Sequence, residues 1–191
     1  MYLYLFMLIT VLISTGQSKK VNGPCPIKIK DIETIDTERY LGKWYDIYVD
    51  PNQRNCPKVL NCTLNLYRSY MEDKHVFNVN YYSLDGPYKV FCSFGLYQYD
   101  YDVDAKLFAD AYNNPVYILD TDYDNYAVEV GCLASDDEKT HEERIVIRSR
   151  TKSMDDDLLG QLKRKIVDFG FAEPELIAQD YSSCPDYEPW I

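Results

Sequence analysis

The chain has 191 residues, two histidines and a formal net charge of −11, enough length for one domain with its own core. So acidic a balance excludes a cation-driven grip on nucleic acid or anionic membrane. Two histidines, with no Gly-rich phosphate loop and no GxSxG turn, leave no ordinary catalytic constellation.

Residues 1–16 carry no charge, and the apolar run over 2–13 is followed by Ser14-Thr15-Gly16. This pattern predicts a secretory signal peptide, with 17–191 as a single mature domain. The run is short of the ~20 residues that span a bilayer, so no membrane span is expected and the protein is read as secreted and extracellular. A polar entry over 19–36 contains Gly23-Pro24-Cys25-Pro26. Strand patterns then recur over 40–49, 59–70, 75–83, 88–99, 106–111, 116–119, 126–132 and 143–150, joined by short polar turns such as Asp85-Gly86-Pro87. Eight strands so spaced predict an all-β sandwich or up-and-down barrel. One helix stands apart. Ser153 is the expected N-cap before acids in a first turn, Leu158, Leu159, Leu162, Ile166 and Phe169 recur at helical spacing, and Gly170 ends the run. Its apolar stripe needs a partner, and the outside of the sheet is the simplest one.

Six cysteines, Cys25, Cys56, Cys62, Cys92, Cys132 and Cys184, show no CxxC spacing. In a secreted chain they favour disulfides over a zinc site, and no metal ligands are assigned. Asn61-Cys62-Thr63 is a sequon that marks Asn61 for glycosylation. The 19 tyrosines supply aromatic area with a polar tip, or simply β-propensity.

Three motifs in order carry a resemblance. Gly42-Lys43-Trp44-Tyr45 resembles the GxW motif that opens the first strand of lipocalins, Thr121-Asp122-Tyr123 resembles their TDY turn between strands six and seven, and Arg150 matches the arginine that closes their eighth strand. Within the family the chain looks most like apolipoprotein D and the arthropod bilin-binding lipocalins. The resemblance implies an eight-stranded antiparallel up-and-down β-barrel with one C-terminal α-helix packed outside. It implies that Gly42, Trp44, Thr121, Asp122, Tyr123 and Arg150 hold the fold, with Arg150 across the Trp44 indole at the closed end. It also implies the bridges Cys25–Cys132 and Cys62–Cys184. A third bridge, Cys56–Cys92, is inferred from the remainder; Cys56 taking the tail in place of Cys62 is the alternative.

The family further implies binding and transport of a small hydrophobic ligand such as a bilin, retinoid, sterol or fatty acid, with no cofactor required and no chemistry done on it. Strand alternation supplies candidate lining residues: Asn65 and Tyr67, Phe77, Val79 and Tyr81, Phe94 and Leu96, Tyr117, and Val146 with Arg148. An inward Arg148 needs an anionic partner. That partner is either a ligand carboxylate or a barrel acid such as Glu129, unless the guanidinium sits at the wet rim. The alternative function is a protein-binding lipocalin, of the protease-inhibitor or salivary-antagonist type, acting through its open-end loops. Homo-oligomerisation and a receptor are left open.

Overall fold

The computed structural model describes residues 20–26, 36–51, 62–70, 75–82, 89–99, 106–109 and 114–186, with the backbone alone at residues 37, 69, 70, 75–82, 89–99, 106–109, 114 and 115. The signal-like segment, Asn61 and Cys56 lie outside the described residues, and Cys92 is described only as backbone. The Cys56–Cys92 pairing and the glycosylation site therefore fall outside them too.

Ten strands and two helices follow one another: β1 Lys20–Asn22, α1 Thr37–Tyr40, β2 Gly42–Val49, β3 Leu64–Tyr70, β4 His75–Tyr82, β5 Lys89–Tyr99, β6 Lys106–Ala109, β7 Asn114–Thr121, β8 Tyr126–Ala134, β9 Thr140–Ser149, α2 Asp156–Asp168 and β10 Ile177–Ala178. Each segment with strand patterning in the sequence overlaps one of β2 to β9. The additions are β1, β10 and the single-turn α1, all too short to leave a periodic signal. From β2 to β9 every strand pairs antiparallel with the next, and β9 pairs back with β2 through Tyr45↔Ser149, Asp46↔Arg148 and Val49↔Val146. The sheet thus curls into a β-barrel with an inner and an outer face.

The outer face is covered by two layers. The first joins Val128, Val130, Ile145 and Ile147 to Leu162 and Ile166 of α2 and to Phe171 behind it. Burying that stripe fixes the helix, at roughly 1.5–3 kcal/mol for each large apolar side chain. Asp155, not Ser153, caps α2, since its carboxylate accepts from Asp157 N at 2.9 Å and Leu158 N at 3.1 Å. Gly170, at φ +100°, ends the helix as expected. The second layer packs Tyr45, Ile47 and Leu64 against Tyr181 of the C-terminal segment.

Two disulfides tie both ends of the chain to the ring: Cys25–Cys132 and Cys62–Cys184. The tail therefore takes Cys62, and the alternative with Cys56 is excluded. Short strands reinforce the ties, with β1 on β9 through Val21↔His141 and β10 on β2 through Ile177↔Val49.

Candidate functional site

The site begins at a sealed end. Gly42 opens β2 at φ +98°, a backbone region where a side chain is strained, and a Cβ there would stand 3.3 Å from the Arg150 guanidinium. That guanidinium lies 3.6 Å over the Trp44 ring. It also donates to the carbonyls of Tyr123, Lys43 and Arg39, each at 2.9 Å. Trp44 Nε1 donates to Tyr40 O at 2.8 Å, and the indole stacks on the Tyr40 ring at 5.2 Å. The 121–123 turn is built by its own side chains: Thr121 Oγ1 donates to Tyr126 O, and Asp122 accepts from the backbone of Asp124, Asn125 and Tyr126. These bonds hold Asp122 below the usual carboxylate range, against its partial burial.

Above Trp44 a polar layer crosses the inner face. Asp46, Glu129 and Arg148 are 5%, 4% and 3% exposed. Arg148 Nε donates to Asp46 Oδ1 at 2.7 Å, and its Nη1 donates to Glu129 Oε1 and to the Tyr67 hydroxyl. Tyr40 Oη donates to Glu129 Oε1 at 2.7 Å, Tyr67 Oη donates to the same oxygen, and Asn65 Nδ2 donates to Asp46 Oδ1 at 2.7 Å. Burial opposes charge on the guanidinium, but Glu129, Tyr67 and Asp46 surround it and hold it protonated. Burial and the Glu129 carboxylate push the Tyr40 phenol well up.

Burial likewise raises the Asp46 carboxyl, against the pull of Arg148. An acid raised by folding binds its proton more tightly in the folded chain. Its contribution is complete below the unfolded value of about 3.9 and is lost as pH rises through the folded one. In urea unfolding from pH 4 to pH 8, Asp46→Asn should therefore gain on the parent as pH rises. A pH-independent gap between the two would contradict a raised Asp46.

Of the sequence candidates, Asn65, Tyr67, Val146 and Arg148 come together on the inner face. Arg148 is paired with the barrel acids Glu129 and Asp46, so the barrel-acid reading of its partner is the one observed. Tyr117 is a correction: it packs against the helix-facing outer cluster, opposite Val130. The register also corrects β4 and β5. Cross-strand partners share a face, and Asn65 pairs with Asn80 and Tyr67 with Asn78, whereas Leu64, Leu66 and Arg68 pair with Tyr81, Val79 and Phe77. Phe94 and Leu96 follow Val79 and Phe77. Phe77, Val79, Tyr81, Phe94 and Leu96 thus hold register positions on the face of Leu64, not of Asn65. Apolarity favours the inner face for Phe77, Val79 and Tyr81, but register decides it. Sequence reading missed Asp46 and Tyr40; an acid alternating with Trp44 on the first strand was the available signal for Asp46.

No family model matches the chain. The chain is 23% identical to the bilin-binding protein of Pieris brassicae over 193 residues, covering 93% of this chain and 95% of that one. Lobster apocrustacyanin A1 superposes with a TM-score of 0.70 at 19% identity, covering 86% of this chain and 92% of that one. Insecticyanin from the tobacco hornworm Manduca sexta gives 0.67 at 21% identity, covering 87% and 91%. These proteins are lipocalins, and the chain has the lipocalin fold. Within that fold its sequence resemblance is to an arthropod bilin-binding lipocalin.

Proposed function

We propose that the protein is a secreted carrier that holds a small, largely apolar ligand of the bilin kind in the half of the barrel remote from Trp44, and does no chemistry on it. The observation that carries this reading is the closed ring of pairing above a sealed, self-satisfied floor. Eight strands enclose an interior about one small ligand wide. Beneath the Asp46–Glu129–Arg148 layer the interior is filled by Trp44, Tyr40, Tyr67, Ile118 and Ala127, so a ligand belongs above that layer, beside Val146. Further inner-face register positions include Asn78, Tyr97 and Leu107, a mixture of polar and apolar residue types. The name of the Pieris relative supports a bilin. The signal-like start and the two disulfides support secretion.

The test is a titration of the purified secreted protein with biliverdin. The expected result is a 1:1 complex with a shifted visible band, and a melting temperature that rises as ligand reaches 100 times Kd, equivalent to about 2.7 kcal/mol. If neither biliverdin nor a long-chain fatty acid binds, the carrier reading is wrong. The register favours one second reading, a protein-binding barrel, because five apolar residues of β4 and β5 hold outer positions. An empty barrel that forms a tight complex with a defined protein would establish it.

A further inference from the structure

Arg144 stands apart from the other inner-face charges. On β9, Ile145 and Ile147 lie in the helix-facing cluster, while Val146 and Arg148 face inward. Pairing between β8 and β9 runs without a shift from Tyr126↔Ser149 to Ala134↔His141, so alternation is unbroken and Arg144 is on the inner face. It lies four residues from Arg148, about 13 Å along the strand away from the Trp44 end. Its partner across the strand pair is Gly131, which has no side chain to fill the space. The side chain is partly buried, and among the described residues it makes no hydrogen bond or ion pair. Glu129, the inner acid diagonal to it, already takes Tyr40, Tyr67 and Arg148 on one oxygen.

The floor below has the opposite character. Two carboxylates share one guanidinium, so the layer repels a further anion. Arg148 is thereby excluded as a carboxylate receptor; above it, by the same alternation, Arg144 and Glu142 share the inner face of β9.

Resting on the carrier reading, we infer that Arg144 docks a carboxylate of the ligand, so that an acidic ligand binds with its acid toward the open end and its apolar body against Val146. A partly desolvated guanidinium offers two parallel N–H donors that match a carboxylate, and such charge-assisted bonds are the strong ones. The chemistry is shared by a fatty-acid head and a bilin propionate, and two ligand pairs separate these sources: cis-parinaric acid against its methyl ester, and biliverdin against its dimethyl ester.

Both pairs are titrated by fluorescence quenching against the parent, Arg144→Gln, Arg144→Lys and the surface control Arg164→Gln, whose side chain is exposed on α2. Near-UV circular dichroism confirms that each variant is folded. The parent should prefer at least one acid over its ester by about tenfold. Arg144→Gln should weaken that acid about tenfold and leave the ester unchanged, Arg144→Lys should keep most of the preference, and Arg164→Gln should change nothing. The pair that shows the preference names the source. Equal weakening of acid and ester, or no effect of Arg144→Gln, overturns the assignment while leaving the carrier reading intact. Failure of the parent to bind any of the four overturns both.

Discussion

Replacing Arg148 with methionine should lower the stability of the folded protein by about 3–5 kcal/mol, read from urea unfolding at neutral pH. Among the described residues the guanidinium is the one cation paired with Asp46 and Glu129 in their buried layer, and removing one partner of a buried ion pair strands the other charges. The loss reflects unpaired acids more than any intrinsic worth of the bridge. Asp46→Asn, Glu129→Gln and Arg148→Met combined should therefore recover most of it. A triple variant as weak as Arg148→Met alone would show that packing, not charge, makes this layer stable.

Replacing Cys62 and Cys184 together with alanine should cost about 2–5 kcal/mol, measured in the same way. The bridge closes a loop with a sequence separation of 122, and in the chain-entropy account a loop of about 100 residues is worth ~4.7 kcal/mol. It also positions Tyr181, whose hydroxyl donates to Asp46 O at 2.9 Å and to Thr63 O. The tyrosine thereby clips β2 and β3 together from outside. A change under 1 kcal/mol would mean that this clip and β10 hold the tail without the disulfide.

Much of the fold was legible because it is written in local signals. Period-two alternation located β2 to β9, the leucine spacing located α2, and Gly42, Trp44, Thr121 and Arg150 marked the sealed end. The inner face was legible only where an outside constraint fixed parity. On β9 the helix claims Ile145 and Ile147, and alternation turns Val146 and Arg148 to the other face. On β4 no such constraint existed, and apolarity pointed to Phe77, Val79 and Tyr81, while the pairing of Asn65 with Asn80 and Tyr67 with Asn78 aligns the asparagines with the inner face. One residue of register reverses a whole strand, and composition does not record register. Tyr117 failed for the same reason, because Val130 opposite it is claimed by the helix. Arg148 was identified, but its partners come from strands far apart in the chain, and Asp46 carried no sign of that pairing beyond its place two residues after Trp44.

The two shortest strands bear on how the protein behaves at high concentration. Where β9 runs past its contact with β2, the row of backbone donors and acceptors at Thr140–Glu142 is taken by Lys20–Asn22. On the other side of the seam, Ile177 and Ala178 occupy β2 at Tyr48 and Val49. A neighbouring molecule seeking to add its own strand at either place meets a ladder already in use, and bare ladders are what template fibrils. These two short strands thus act as stoppers against runaway self-association.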